Sequence, residues 1–376
     1  MRDRTLDEVA GFVVREHGAP AVSVAAARFR GGSWALATGV AGKALELGPD
    51  PLFDLASVTK PFVAVTAARL AARGVMSLED PLGRLLPAAR DTPSAEVPLI
   101  FFLAHRAGLD AHRSLFLPLV RGAPFERRAA LREAAEARRL DAAGPLPEDG
   151  FPPLYSDLGY VLAGAALEAV SQLPLDELVE REVLEPLGLD IHSARGWLAR
   201  DARFFLRVAP TETVAFRGGE VRGAVHDENA WALAGYGLAG QAGLFGTALA
   251  LARFGGALLD AASGRNPSFL SPSALEPLLM TRRGGSLRAG FDGKSGTLSA
   301  AGARASAHTF GHLGFTGTSL WCDPESDRVA VLLSNRVCPS RANLTLRALR
   351  PVVHDALFGW PESPLLPRIP AAGGAF

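Results

Sequence analysis

Strand-like segments lie at both ends of this chain, and helical segments fill the region between them. Near the start, PAVSVAAARF and SWALATGVAG are joined by Gly31-Gly32, which predicts a β-hairpin. Near the end, Gly311 to Trp321 and Arg328 to Ser334 are predicted strands separated by the turn-like CDPESD. We therefore expect an α/β (α+β) fold in which the two ends meet in one antiparallel sheet flanked by helices.

The middle of the chain, roughly residues 80 to 225, alternates helical segments such as SDLGYVLAGAALEAV with proline-rich connectors. This pattern predicts one domain over residues 1–360. A sheet lobe (about 1–80 and 235–360) carries a mostly helical insert (about 81–234), and the cleft between them is the expected site. Residues 361–376 are rich in proline and glycine and are predicted to form a surface tail.

The charge balance excludes some partners and locations. The 376-residue chain has 39 lysine plus arginine and 39 aspartate plus glutamate residues, so no global basic field attracts nucleic acid.

Ala230 to Ala252 is uncharged and about long enough to span a membrane, but five glycines and Gln241 interrupt it and favour buried core. The N-terminus lacks the layout of a secretory signal, and the two cysteines fit a reducing compartment, so we expect a cytoplasmic protein.

Ser57-Val58-Thr59-Lys60, within FDLASVTKPF, is the first segment that indicates chemistry. Pro61 lacks an N–H and is tolerated in the first turn of a helix, which places Ser57 at or just inside a helix N-terminus. Its backbone N–H is then free to point at a developing oxyanion, and the helix dipole favours negative charge there. Residues three apart share one face of a helix, so Ser57 and Lys60 can touch.

Lys60 can act as a base only if its pKa falls well below the usual value of about 10.4. We expect that fall, because the predicted helix from Ser57 to Arg73 is almost wholly apolar and burial disfavours an ammonium. Only three of the 39 cations are lysines, and arginine does not deprotonate, so a lysine in this helix indicates a need for a titratable amine. The alternative is a chance S-x-x-K pattern with an ordinary surface lysine.

Tyr155-Ser156-Asp157 lies where a proline-rich connector gives way to a predicted helix. One interpretation is a helix cap, since Ser156 or Asp157 could serve as the N-cap, with an aromatic staple beside it. The other places the Tyr155 phenol in the cleft as a proton shuttle between the nucleophile and the leaving group. Ser156 could be read as the shuttle instead, but a cap is the better use of its hydroxyl.

The third segment is GHLGFTG, residues 311–317, at the head of a late strand. Closely spaced glycines let a substrate lie against a strand edge, and an exposed N–H there could complete an oxyanion pair with that of Ser57. A bulged edge strand is the alternative. Lys294-Ser295-Gly296 is a similar lysine-hydroxyl-glycine sequence, but its flanks are loop-like and we do not expect it to contribute.

The order of these segments resembles that of the serine β-lactamase and penicillin-binding protein superfamily, where S-x-x-K is followed by Y-x-N and K-T-G. The chain is most similar to the class C-like branch, which also contains esterases and D-peptidases, from PAVSVAAARF to LLSNR. The resemblance implies that Ser57 is the acylated nucleophile, Lys60 its base partner and Tyr155 the proton shuttle. It also implies that Asp157 and His312-Leu313-Gly314 occupy substrate-binding positions, and that the Phe315 N–H joins that of Ser57 in the oxyanion hole.

The chain departs from the family pattern in three places. Asp157 replaces an asparagine whose amide often donates to substrate, which an ionised carboxylate cannot do. His312 and Leu313 replace the lysine and hydroxyl residue that help hold the carboxylate of β-lactams, and a histidine is mostly neutral at pH 7.5. Arg106-Ala107 stand where the family often has hydroxyl residues, which we expect to matter for structure. The mechanism should survive these changes better than the antibiotic substrate.

Three further candidates carry weaker signals. His105, ahead of Gly108, is expected to cap or pack a turn. The run His226-Asp227-Glu228 cannot direct three adjacent side chains at one ion, so no metal site is predicted. Asn335-Arg336 could bind a substrate carboxylate or serve a surface role.

The sequence thus predicts a serine hydrolase that forms an acyl-enzyme, needs no cofactor, and acts on small carboxylic esters. A D-Ala-D-Ala carboxypeptidase or D-aminopeptidase comes second and a β-lactamase third. The alternative of another class is a non-catalytic sensor that binds an acyl group, or is acylated, without turnover. The expected partner is a small ester, amide or peptide, and the sequence does not indicate an oligomeric state.

Overall fold

A computed structural model describes residues 1–362, so almost all of the predicted tail (361–376) lies outside the described residues. The helices are α1 (Arg4–Arg15), α2 (Thr59–Ala72), α3 (Leu82–Leu85), α4 (Leu99–Leu103), α5 (Leu117–Val120), α6 (Arg127–Glu136), α7 (Asp157–Ser171), α8 (Leu175–Val179), α9 (Glu185–Leu187), α10 (Ala194–Arg200), α11 (Phe204–Arg207), α12 (Glu228–Ala234), α13 (Ala248–Ala262), α14 (Pro272–Leu279) and α15 (Leu346–Gly359). The strands are β1 (Ala21–Arg30), β2 (Ser33–Gly42), β3 (Phe53–Asp54), β4 (Ile191–Ser193), β5 (Thr213–Val214), β6 (Gly219–Glu220), β7 (Leu244–Gly246), β8 (Asp292–Gly293), β9 (Phe310–Leu313), β10 (Ser319–Asp323) and β11 (Arg328–Ser334).

The central sheet joins the two ends of the chain. Its strand order is β2-β1-β11-β10-β9-β8, and all five pairings are antiparallel. Strand β1 pairs with its hairpin partner β2 on one side and with the last strand, β11, on the other. The predicted fold class is therefore confirmed: a mixed α/β protein with an antiparallel sheet built from both termini.

Helices cover both faces of this sheet, which explains the near-continuous apolar sequence of β1. Val22, Val24 and Ala26 point into one buried cluster with α1 and α15, whereas Ala21 and Ala25 point into the other, which includes α13 and α2. Strands buried on both faces lose the alternating polar pattern of a half-exposed sheet.

The segment predicted as one strand from Gly311 to Trp321 is two strands, so that prediction was wrong. Strands β9 and β10 pair antiparallel with Leu313 opposite Ser319. In the turn between them, the Gly314 N–H donates to the Thr318 carbonyl over 2.8 Å. Gly317 has φ of +109°, a conformation that favours glycine, so the glycine spacing marks a hairpin turn instead of a bulge.

Helix α2 is the buried helix that the sequence predicted after Ser57. All residues from Thr59 to Ala68 are buried, and a helix enclosed on every side belongs to a core. Helix α14 packs on one side of α2, and α7 and α8 of the insert pack on others. The insert is less purely helical than predicted, since β4 pairs with β7 in a small sheet ordered β3-β7-β4.

The uncharged segment from Ala230 to Ala252 is not one helix. It contains α12, a loop, β7 and the start of α13. Among residues 1–362, no single helix is long and apolar enough to cross a membrane. Helix α7 passes that test only together with Leu175–Leu187, at a bend of 78°, and most of α7 is buried in the protein.

Candidate active site

Ser57 lies in a short 3₁₀ turn, Ala56–Val58, that runs directly into α2, which is the position predicted from Pro61. The residue before it, Ala56, has φ of +48°, which is uncommon for a residue with a side chain. Asp54 supports this backbone because its Oδ1 accepts the Ala56 N–H over 2.8 Å. Such backbone strain is often found at functional sites.

Lys60 bridges Ser57 and Asp157. Its Nζ donates to Ser57 Oγ and to Asp157 Oδ1, both over 2.8 Å, and to the Gln241 carbonyl over 3.3 Å. These three acceptors match the three donors of an ammonium group. The Lys60 side chain is fully buried, whereas that of Asp157 is 24% exposed.

The expected fall in the pKa of Lys60 does not occur. Burial alone would lower the pKa of Lys60, but the charge of Asp157, with the hydrogen bonds of Lys60 to its neighbours, outweighs burial and raises it. The prediction was wrong because it counted the apolar helix and missed the carboxylate, which lies 97 residues further along the chain. Lys60 is therefore an ammonium at neutral pH.

Tyr155 is held between Lys60 and His105. Its ring stacks on the His105 ring at 4.5 Å between centroids, and Lys60 Nζ lies 5.0 Å from the Tyr155 ring centroid. Burial raises the pKa of Tyr155, and the nearby Lys60 charge only partly offsets the rise. The phenol therefore keeps its proton at neutral pH.

His105 packs a turn, as expected, but it also contacts Tyr155, which the sequence did not indicate. Its φ is +59°, and its Nδ1 accepts the Ser156 N–H over 3.0 Å. Ser156 occupies the N-cap position of α7, yet its hydroxyl donates to the Asp110 carbonyl over 2.6 Å and accepts nothing from the helix. Both hydrogen bonds fix the connector that carries Tyr155.

The third predicted segment reaches the same site. His312 is buried at the end of β9, 6.0 Å from Tyr155 between ring centroids, and its Nδ1 donates to the Leu313 carbonyl over 2.7 Å. Burial and the nearby Lys60 charge lower the pKa of His312 to about 3. The imidazole is therefore neutral throughout the physiological range.

The turn after β9 is tied to the segment that carries Ser57. Thr316 Oγ1 donates to the Asp54 carbonyl and Thr318 Oγ1 to the Leu55 carbonyl, each over 2.8 Å. Gly314 fits only as glycine, because an added Cβ would lie 2.7 Å from the Leu55 oxygen. Neither the Ser57 nor the Phe315 amide has an acceptor within residues 1–362, so both are available to an oxyanion.

These elements enclose a cavity of about 550 Å³. Its walls include all of the predicted site residues except Lys60, which lies beneath Ser57: Ser57, Tyr155, Asp157, His312, Gly314 and Phe315. Phe116 and Leu287 add apolar surface. The three segments singled out in the sequence therefore converge on one cleft.

Four arginines that follow β11 line the far side of this cavity: Arg336, Arg341, Arg347 and Arg350. We call this surface the arginine wall. Arg336 lies over the Phe315 ring, 4.7 Å from its centroid. Arg341 pairs with two glutamates, Glu212 and Glu228.

The inner part of the arginine wall is poorly neutralised. Burial, then Arg336 and Arg347, lower the pKa of Arg350 to about 10. Arg350 Nη2 donates to the Gly314 and Thr318 carbonyls over 3.0 and 3.2 Å, which links the wall to the turn. Within residues 1–362, Arg347 makes no ion pair and the buried Arg350 Nε has no acceptor.

Comparisons with known proteins agree with this arrangement. Residues 6–353 match the family model described as Beta-lactamase. The chain belongs to the beta-lactamase family. It is 28% identical over 316 residues to a Bacillus subtilis protein named N-acetylmuramyl-L-alanine amidase, across 76% of this chain and 68% of that protein.

Solved structures of beta-lactamase-fold proteins share the architecture. EstCE1, described as a hydrolase with promiscuous acyltransferase activity, gives a TM-score of 0.67 at 22% identity, across 95% of this chain and 98% of its own. A class C beta lactamase from Rhodobacter sphaeroides gives 0.65 at 18% identity, across 94% and 99%. The predicted resemblance to the β-lactamase superfamily is confirmed by the family match, and the chain is a beta-lactamase-related serine hydrolase.

The other candidates from the sequence, His226-Asp227-Glu228 and Lys294, make hydrogen bonds or ion pairs within the fold. His226 contacts Glu212 over 3.0 Å between Nε2 and Oε2, Asp227 caps α12 through Ala230, and Glu228 pairs with Arg341, so the three side chains diverge. Lys294 donates to the carbonyls of Ala303 and Ala305, and it does not line the cavity.

Asn335 and Arg336, considered together in the sequence, have different surroundings in the structure. Asn335 is structural, because its Oδ1 accepts the Ala21 N–H and its Nδ2 donates to the Pro210 carbonyl, each over 2.9 Å. Arg336 lines the cavity. Sequence reasoning missed Arg341, Arg347 and Arg350, although the arginine-rich SRANLTLRALR after the last strand was an available signal.

Proposed function

We propose that this hydrolase works through an acyl-enzyme, with the Ser57 hydroxyl attacking the carbonyl carbon of a small ester or amide. The observation that carries the proposal is the hydrogen-bonded contact of Ser57 Oγ with the buried Lys60 Nζ at the floor of the cavity. A positively charged group next to the nucleophile stabilises negative charge as it develops. The free amides of Ser57 and Phe315 would bind the oxyanion.

Tyr155 is suited to protonate the leaving group. Its phenol is protonated in the resting site, since burial raises its pKa, and its hydroxyl interacts with Ser57. After the leaving group departs, the phenolate would take a proton from the attacking water. Acid–base assistance of this kind is worth about 10²–10⁴ in rate.

The arginine wall favours a substrate that carries a negatively charged group. Guanidinium groups bind carboxylate and phosphate through paired hydrogen bonds. Because Arg336, Arg347 and Arg350 repel one another, a bound anion would relieve that repulsion. An amide or peptide with a carboxylate is therefore our leading substrate class, and the name of the Bacillus relative, an amidase, is consistent with an amide.

Neutral short-chain esters, the substrates predicted from the sequence, are the second candidate. The neutral His312 and the apolar Leu313 provide no charge on their side of the cavity, which favours an uncharged acyl group there. D-Ala-D-Ala peptides and β-lactams both carry a carboxylate and fall within the leading class. A sensor that is acylated without turnover remains the rival of another class, and the cytoplasmic location stays a prediction.

Two matched esters test the proposal. The p-nitrophenyl esters of butyric acid and of succinic acid (the hemisuccinate) have acyl groups of equal length, and only the second carries a carboxylate. We expect a higher kcat/KM for the hemisuccinate, and no turnover of either ester by Ser57→Ala. A burst of p-nitrophenol equal to the enzyme concentration, without steady turnover, would support the sensor instead.

Arg347→Gln locates the source of the preference. Arg347 is largely exposed, so its loss should leave the fold intact, and it should lower kcat/KM for the hemisuccinate about 2- to 5-fold, as expected for one exposed charge pair. The butyrate ester should be unaffected. Equal kcat/KM for both esters in the wild type would contradict the role of the arginine wall and favour neutral esters.

A further inference from the structure

Asp157 is placed to accept the proton that the Ser57 hydroxyl must lose. Attack by Ser57 requires its hydroxyl proton to leave, and the nearest nitrogen, Lys60 Nζ, already carries three protons. Ser57 Oγ, Lys60 Nζ and Asp157 Oδ1 form a continuous chain with two 2.8 Å hydrogen bonds. The buried lysine thus connects the nucleophile to a carboxylate.

The other titratable groups around this chain are poor acceptors. Tyr155 holds its proton, and His312 is a weak base because its pKa is about 3. His105 uses Nδ1 to accept the Ser156 N–H, and burial lowers its pKa well below the ordinary value. Asp227, the N-cap of α12, lies near Asp157, but its Oδ1 accepts from Ala230 and Gln241 and receives no hydrogen bond from Lys60.

We propose that Asp157 accepts the proton of Ser57 through Lys60, an inference that rests on Ser57 being the nucleophile. As the Oγ–carbon bond forms, the Oγ–H proton moves to Lys60 Nζ while a different Nζ proton moves to Asp157 Oδ1. Lys60 ends the step as an ammonium and Asp157 as a neutral carboxylic acid. The reverse relay returns the proton to Ser57 Oγ when water displaces the acyl group.

This relay keeps a positive charge beside the reacting centre throughout the step. Negative charge passes from Asp157 to the oxyanion, and the fully buried Lys60 ammonium remains next to it. If neutral Lys60 were the base, its charge would appear only as the proton arrived. The asparagine usual at this position in the family cannot accept the proton, so the departure at Asp157 changes the proton path.

The test is the pH dependence of Ser57 labelling by a fluorophosphonate, which requires no knowledge of the substrate. In the wild type, the acceptor is a carboxylate, so labelling should persist at acid pH. In Asp157→Asn, the acceptor must be Lys60 itself, which has to lose a proton first. Because lysine and aspartate differ widely in ordinary pKa, we expect the acid limb to move up by about two pH units or more.

Below both limbs, that shift means about 100-fold slower labelling of Asp157→Asn, with recovery toward the wild-type rate once the pH exceeds the displaced limb. Asp157→Glu keeps a carboxylate, so its limb should stay on the acid side. This variant tests the relay even if Asp157→Asn folds poorly. Asp227→Asn is the matched control, because it neutralises a nearby carboxylate that receives no hydrogen bond from Lys60. Because the Asp227 and Asp157 charges repel each other, its limb should stay on the acid side and should not move up as the Asp157→Asn limb does.

Two failures are distinguishable. An Asp157→Asn limb within half a pH unit of the wild type, with slower labelling at every pH, would overturn the relay and leave Asp157 as a residue that only positions Lys60. Undiminished labelling or hydrolysis by Ser57→Ala would instead overturn the proposed function on which the relay rests.

Discussion

Gly314→Ala should inactivate the enzyme through geometry alone. The new Cβ would lie 2.7 Å from the Leu55 oxygen and would also overlap the Thr318 hydroxyl. A carbon and an oxygen normally approach to about 3.3 Å or more, so the turn must move by roughly 0.6 Å. Oxyanion donors work over a window of about 2.7–3.1 Å, which is narrower than that displacement.

The Phe315 N–H would therefore leave its working position. Loss of one oxyanion donor costs about 10²–10³ in kcat, or roughly 2.7–4 kcal/mol, while overpacking lowers the free energy of unfolding by about 1–3 kcal/mol. The assay compares kcat on a p-nitrophenyl ester with thermal unfolding. Gly285→Ala is the control, since its Cβ would meet only Pro153, at 3.7 Å.

A folded Gly314→Ala enzyme with kcat within about threefold of the wild type would refute the assigned oxyanion hole. A loss of activity matched by complete unfolding would call for a milder variant, Thr318→Val, which removes only the hydrogen bond to Leu55. That variant should lower kcat while leaving the native fold largely populated.

Two further outcomes separate the residues around the nucleophile. Tyr155→Phe should lose about 10²–10⁴ in kcat/KM. Ser156→Ala removes one of the two hydrogen bonds that fix the Tyr155 connector, so it should cost about 1–3 kcal/mol of stability and a smaller loss of activity than Tyr155→Phe; the reverse ranking would contradict the shuttle role. His312→Asn should leave the pH profile of the hydrolysis rate unchanged above pH 5. The reason is that the pKa of His312 is about 3, so the imidazole is already neutral there. Loss of an inflection near pH 6.5 in the variant would contradict this.

Local patterns predicted the parts of this protein that depend on neighbouring residues. Pro61 located the helix start and hence Ser57, and the i, i+3 spacing brought Lys60 to it. The strand-like ends indicated the antiparallel sheet. The order of the three short segments indicated the family, although each segment alone was ambiguous.

Features set by long-range packing were not predictable. The protonation of Lys60 depends on Asp157, which α7 places 2.8 Å away, and burial alone suggested the opposite shift. Arg347 and Arg350 join the arginine wall because α15 folds back over the turn after β9, so residues far apart in sequence share one cavity. Strands of two or three residues, such as β3 and β7, are too short to show a periodic pattern.

The central claim is that Ser57 becomes covalently acylated. The most direct test is mass spectrometry of the protein quenched during turnover of the p-nitrophenyl hemisuccinate, followed by peptide mapping, with Ser57→Ala treated in parallel. The account predicts a succinyl group on the peptide that contains Ser57, absent from the variant. Acylation at another residue would contradict it. So would a wild-type protein that stays unmodified during full turnover, together with hydrolysis that persists in Ser57→Ala.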